Sequence, residues 1–137
     1  MILVDTNVLL DVVEDDPDWA DWSLQQLQAA RLRGRLAINP VIYAELSLNF
    51  AAVAALDSAV VGLGLQFRDL PRPALFLAGK AFAKYRRAGG RKANVLADFF
   101  VGAHAAVMGW GIITRDARRY RNYFPRVPLV SPTTASR

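Results

Sequence analysis

The sequence predicts an α/β fold, a mostly parallel sheet with helices packed against it. Three observations carry that expectation. Short apolar runs of β type alternate with longer stretches of helical periodicity, the order that makes parallel strands with helical crossovers. Two of the apolar runs, ILV and GIIT, lead directly into the acids Asp5 and Asp116 or the residue before. The chain has 137 residues, 53% of them hydrophobic, which suits one domain with a real core.

The elements follow in order. Residues 1–4 form an apolar run that stops at Asp5, a first strand, and residues 7–13 suit a short helix. Residues 18–33 have helical spacing. Trp19, Trp22, Leu24, Leu27, Ala30 and Leu32 fall on one broad face, with Gly34 as the stop. Residues 36–38 make a short strand. Asn39 and Pro40 then supply an N-cap and a first-turn proline for a helix over 41–50. Residues 52–63 are a further apolar helix, and 66–70 a strand closed by Pro71 and Pro73. Residues 74–87 form an amphipathic helix whose basic end suits the helix dipole, with Gly89 and Gly90 after it. Residues 95–110 are helical, 111–114 a strand and 127–130 the last strand. One domain over 1–130 is expected, with polar 131–137 as a flexible tail.

Composition narrows the class. With no cysteine there is no disulfide, thiolate nucleophile or zinc–thiolate site, which suits a reducing cytoplasm. No basic residue precedes the first apolar run, so no secretory signal is expected. The apolar stretch 95–113 contains Asp98, His104 and three glycines. It reads as a buried helix plus strand rather than a membrane span, because a central charge costs about 2.5–3.5 kcal/mol on insertion.

The net charge of +5 is unevenly spread. Residues 1–30 carry seven acids and no Lys or Arg, whereas 80–126 carry eleven basic residues against Asp98 and Asp116. That asymmetry suits a polyanionic partner, although solvated helix faces would look the same.

Four acids stand in apolar surroundings. Asp5 ends the first strand, Glu45 interrupts VIYAELSL, Asp98 opens an apolar helix and Asp116 follows GIIT. Singly, each suits a cap, a turn or a salt bridge. Together, at the strand ends of a parallel sheet, they suit a ligand site. Converging carboxylates repel unless a cation neutralises them. Hard oxygen donors, with no Cys and one His, favour Mg²⁺ or Mn²⁺ over Zn²⁺. Acid in a site and base around it is what a metal-dependent nuclease needs.

These residues resemble a known family. ILVDTNVLLD is similar to the first motif of PIN-domain proteins, and PVIYAEL to the second. LADFFVGAHAAVMGWGIITRD resembles the third and fourth, and TRDARRYRNYFPRVPLVSP the ending common in bacterial VapC-type toxins. The resemblance covers nearly the whole chain. It implies a three-layer, Rossmann-like α/β/α domain with a sheet of four or five strands. It implies endonucleolytic RNA cleavage, Mg²⁺ (or Mn²⁺) as cofactor, a cognate antitoxin, and a homodimer or a hetero-oligomer with that antitoxin. On this resemblance Asp5, Asp98 and Asp116 hold the metal. Glu45 completes the catalytic set by holding a second metal, orienting water or assisting proton transfer. Asn7 and Thr114 fix Asp5 and Asp116, unless they serve only as turn residues.

Arg91, Lys92, Arg115, Arg118 and Arg119, with Arg121 in the same cluster, are expected to bind RNA phosphates or an acidic antitoxin tail, unless they form only a solvated face that offsets the acids. His104 is expected in the core, six residues beyond Asp98 and turned away from it. Gly102 suits either a close approach or helix packing. The aromatic residues Trp19, Trp22, Phe99, Phe100 and Trp110 suit core or interface.

Three rivals stand beside the nuclease. A phosphatase or dehalogenase with Asp5 as nucleophile typically has a second Asp two residues on, where this chain has Asn7. A phosphoaspartate receiver would want a lysine after a late strand, where this chain has Arg115-Asp116. A non-catalytic RNA- or protein-binding module would use its acids structurally.

Overall fold

The computed structural model describes residues 1–92 and 95–132. Five strands form one sheet in the order β3-β2-β1-β4-β5, with every pairing parallel. The strands are β1 (Ile2–Val4), β2 (Leu36–Ile38), β3 (Leu65–Phe67), β4 (Gly111–Ile113) and β5 (Leu129–Val130). Helices cover the sheet in a three-layer α/β/α arrangement. Leu3, Val4 and all of β2 are buried, as expected of strands covered on both faces.

Strand β1 leads to α1 (Thr6–Val13) and α2 (Ala20–Arg33), which return the chain to β2. From β2, α3 (Pro40–Ser47) and α4 (Val53–Gly62) lead to β3. Helices α5 (Arg72–Arg87) and α6 (Leu96–Met108) then carry the chain across to β4, on the other side of β1. The strand order therefore reverses between β1 and β4. A crevice opens beyond the strand ends at such a switch point. The backbone ladder continues one residue past β1, where Asp5 N–H donates to Ile113 O at 2.9 Å.

Local chemistry sets the helix starts. The Asp5 carboxylate caps α1 by accepting from Thr6 N–H, and Asn39 Oδ1 caps α3 by accepting from Ile42 N–H at 3.0 Å. Asp16 Oδ1 accepts from both Asp18 and Trp19 N–H, which holds 16–19 in a turn and delays α2 to Ala20 rather than residue 18.

The broad apolar face expected on α2 is a correction. Its buried stripe is Ser23, Leu27 and Ala30, while Leu24 and Leu32 are exposed, Leu32 at 91%. At 100° per residue, Leu32 lies half a turn from Ser23. The third strand is shorter than expected, since the chain turns toward Pro71 after Arg68 N–H reaches Ile38 O. A short helix α7 (Arg118–Tyr123) follows the fourth strand, in a stretch for which the sequence suggests no element. The expected tail lies mostly outside the described residues.

His104 is fully buried, with Nδ1 3.2 Å from the Asn39 amide and its ring 4.9 Å from that of Trp110. Burial lowers its pKa, which keeps it neutral in the core. Gly102 is a packing position, because a Cβ there would come within 2.3 Å of the Phe124 ring. No helix among the described residues is long and apolar enough to cross a membrane.

Candidate active site

One cleft is lined by Asp5, Thr6, Asn7, Leu10, Glu45, Asp98 and Asp116, with a volume of about 270 Å³. All four acids singled out in the sequence line it. They come from the end of β1, from α3, from the first turn of α6 and from the loop after β4.

Asp5 is the most enclosed of the four, at 7% exposure. Its Oδ1 accepts from Thr6 N–H at 2.9 Å. Its Oδ2 accepts from the hydroxyls of Thr114 at 2.8 Å and Tyr120 at 3.0 Å. Burial raises its pKa to about 6, the Asp98 charge adds to the rise, and the three donors oppose it. The Asp98 pKa is raised mainly by burial, with Arg119 opposing and Asp116 adding. Three carboxylates therefore sense one another, two of them in poorly solvated positions.

Arg119 supplies the local countercharge, with Nη1 2.5 Å from Asp98 Oδ2. Glu45 is held by Thr6, whose hydroxyl donates to Oε1 at 2.6 Å. Thr114 bridges two acids, donating to Asp5 and accepting from Asp116 N–H at 3.1 Å. Asn7 Oδ1 accepts from Arg115 N–H at 3.3 Å, tying the β4–α7 loop to α1. Asn7 thus acts on the loop that carries Asp116, and Thr114 acts on both acids.

As they stand, no three acid or histidine side chains among the described residues are close enough to hold one ion. The donor chemistry nevertheless fits a hard divalent cation: oxygen ligands alone, with the Asp98 charge raising the Asp5 pKa and the Asp116 charge raising that of Asp98. A shared cation would relieve that repulsion.

The expected basic residues divide. Lys92, Arg118 and Arg119 line a second, polar cleft with Tyr85, Asn122 and Tyr123, about 410 Å³ in volume, and Asp116 borders both clefts. Arg91 is exposed on the loop after α5. Arg115 needs correction as a phosphate ligand. Its Nε lies 2.8 Å from buried Asp11 Oδ2, and its guanidinium sits 5.0 Å from the Trp19 ring centre. The contact is an ion pair by distance, although the Nε–H is not aimed squarely at the oxygen. A guanidinium held against an acid and a ring, and lining neither cleft, is a structural clamp.

Thr6 and Tyr120 are site residues that the sequence reasoning missed. Thr6 had a weak signal, as the hydroxyl between Asp5 and Asn7. Tyr120 had one too, as the lone aromatic in a basic run. Neither signal names a partner.

An acidic cleft at the switch point of a parallel sheet lies where ligand sites of such folds gather. The family follows from the sequence itself: the PIN domain model matches residues 2–125, and the chain belongs to the PIN-domain family. No curated protein sequence matches it. Among solved structures, it is similar to a chain of VapBC2 from Rickettsia felis bound to a promoter DNA fragment. That match has 18% identity and a TM-score of 0.73, and covers 96% of this chain and 98% of the other. A toxin–antitoxin complex from Klebsiella pneumoniae gives 18% identity and a TM-score of 0.70, covering 98% and 100%. VapBC-1 from nontypeable Haemophilus influenzae gives 18% and 0.69, covering 96% and 98%. At such identity the structural likeness speaks to the fold.

Proposed function

We propose that this protein is a metal-dependent endoribonuclease and the toxin member of a toxin–antitoxin pair. The observation that carries the reading is the convergence of Asp5, Glu45, Asp98 and Asp116 in one cleft of a PIN-family chain. The polar cleft that shares Asp116 supports a phosphate-bearing substrate. The toxin role is supported by the neighbours, which are toxin–antitoxin or VapBC assemblies. On that reading a cognate antitoxin covers the cleft, and the working unit in the cytoplasm is a homodimer or an antitoxin complex.

Asp5, Asp98 and Asp116 would hold Mg²⁺ or Mn²⁺. Such an ion, when bound, supplies a water of lowered pKa and neutralises charge on the phosphoryl oxygens. The chain's own groups do the rest. Thr114, Tyr120 and Thr6 N–H hold Asp5 in one orientation. Glu45, oriented by Thr6, would accept a proton from the attacking water. Lys92, Arg118 and Arg119 hold the RNA backbone.

The test is cleavage of a labelled RNA pool by antitoxin-free protein in Mg²⁺ or Mn²⁺, with circular dichroism to check folding. Wild type should cut and EDTA should stop it. Asp5→Asn and Asp98→Asn should each lose at least about a hundredfold, because several kcal/mol of charge stabilisation are removed and each 1.4 kcal/mol is tenfold. Folded variants that cut as well as wild type would make the acids structural and end this reading.

A further inference from the structure

Two of the four acids in the cleft follow strands, and two sit on helices. Asp5 and Asp116 are tied to each other by the Thr114 hydroxyl. Glu45 on α3 is oriented by Thr6, and Asp98 on α6 faces Arg119, but neither contact joins α3 to α6. The join lies deeper. Asn39, the N-cap of α3, and His104 of α6 are both fully buried and meet at 3.2 Å. Each stands six residues from an acid of the cleft, Asn39 from Glu45 and His104 from Asp98. We propose that His104 is a positioning residue for Glu45: through Asn39 it pins α3 to α6 and so sets where Glu45 stands in the cleft. The inference rests on the ribonuclease reading and adds a residue to its machinery.

The contact has a direction. Asn39 Oδ1 already accepts from Ile42 N–H, so the amide nitrogen faces the ring and donates to His104 Nδ1. Nδ1 is then the bare nitrogen, and the ring proton is on Nε2. Among the described residues Nε2 has no hydrogen-bond partner. An unpaired buried donor is costly. A cheaper core is available to such a helix pair. Serine caps a helix about as well as asparagine, and an apolar side chain at that place on α6 would bury no ring nitrogen. The costlier pair supplies what the cheaper one lacks, a directional bond between two helices that holds one arrangement.

Helix α3 is the partner that depends on the pin. It has eight residues, of which Ile42 and Leu46 are buried, whereas α6 has thirteen with six buried in the core. The Trp110 ring packs 4.9 Å from that of His104 and holds the imidazole in place. Without the bond, α6 keeps its seat and α3 shifts, taking Glu45 with it.

The test uses the full chain with Asn39→Ser, alone and combined with His104→Leu. Both keep a cap on α3 and both lose the contact, so thermal melting should stay within a few degrees of wild type. RNA cleavage in Mg²⁺ should lose about ten- to a hundredfold in kcat, the worth of a small misplacement, with KM unchanged. Mn²⁺ affinity by calorimetry should match wild type, because Asp5, Asp98 and Asp116 keep their places. On a Glu45→Gln background the same changes should cost nothing more, since they act through Glu45. A general loosening of the core would instead lower melting and Mn²⁺ affinity together and add to the Glu45→Gln loss. Carboxyl-carbon NMR of metal-free protein needs no turnover: the Glu45 signal should move in Asn39→Ser while that of Asp98 holds. Asn39→Ser alone decides the matter if the double variant misfolds.

Wild-type kcat in a variant that lacks the contact would overturn the proposal. So would an equal loss on the Glu45→Gln background, or a Glu45 signal that stays where it is. If wild type cuts no RNA and the Glu45 signal moves, the nuclease reading fails and the pin stands. If wild type cuts and the variants cut as fast, the pin fails and the nuclease stands.

Discussion

Helix α1 carries two buried aspartates six residues apart, and they live in opposite electrostatic settings. Asp11, 3% exposed, accepts from Ser23 Oγ at 2.6 Å and faces the Arg115 guanidinium at 2.8 Å. Asp5, 7% exposed, is met by two hydroxyls and one N–H, and the Asp98 charge raises its pKa. Burying a charge is expensive unless it is paired. Asp11 has its cation within the chain, while Asp5 has only neutral donors and another acid. The comparison separates two uses of one residue type. A fully partnered buried acid stabilises a fold, and a buried acid left among acids is held ready for a cation from outside.

The widest effect that could break this comparison is at Asp11. Asp11→Ala leaves the Arg115 guanidinium without its acid and the buried Ser23 hydroxyl without its acceptor. Stability should fall by about 2–3 kcal/mol, less than for a fully buried pair because Arg115 is part exposed. Thermal melting would show it, and cleavage by the remaining folded protein should fall far less than in Asp98→Asn. A melting point unchanged from wild type would remove the structural role assigned to that pair.

Asp5 should behave in the opposite way in metal-free protein. Its pKa of about 6 lies above the ordinary 3.8. The stability that comes from its neutral carboxyl is fully present below about pH 4 and is lost as the pH rises through 6. Asn has no charge to bury, and the Thr114 and Tyr120 hydroxyls can turn to accept from its amide. Asp5→Asn should therefore gain on wild type between pH 4 and 7, by on the order of 2–3 kcal/mol, with no gain below pH 4. Denaturant melts across that range measure it, and a constant offset would mean that Asp5 folds uncharged at every pH or is already paired.

A smaller effect is expected at the hydroxyl that bridges two acids. Thr114→Val removes the donor to Asp5 and the acceptor of Asp116 N–H. Mn²⁺ affinity, followed by calorimetry, should drop by roughly 10–100-fold, as for other groups that orient metal ligands. The smallest effect has the opposite sign. Arg119→Met frees Asp98 of its internal countercharge, and Mn²⁺ affinity should rise by roughly two- to fivefold, the worth of a part-exposed ion pair. An unchanged affinity would show that Arg119 does not compete with the ion.

Much of this arrangement was legible in the sequence. Asp5, Glu45, Asp98 and Asp116 stood out because a carboxylate in an apolar run needs a reason. Asn39-Pro40 announced α3 through local capping chemistry, which needs no distant partner. The partners of those acids were not legible. Thr6 meets Glu45 across 39 residues, and Tyr120 meets Asp5 across 115. Arg115 shares one basic run with Arg118 and Arg119, yet the loop turns it back onto Asp11 and Trp19. Nothing in local spacing separates a clamp from a substrate contact.

By itself, then, the sequence determined the alternation of strands and helices, the parallel class of the sheet, the family and the acids worth examining. Each of these depends on periodicity, on capping or on a charge set in an apolar neighbourhood, all of which are local. The tertiary structure alone decided which acid receives which hydroxyl, which arginine is withdrawn into a clamp and where the second cleft opens. Those outcomes depend on the parallel pairing of β1 with β4, which sets Thr114 against Asp5 from 109 residues away. Contacts at that separation are made by the strand order, and no short stretch of the chain encodes them.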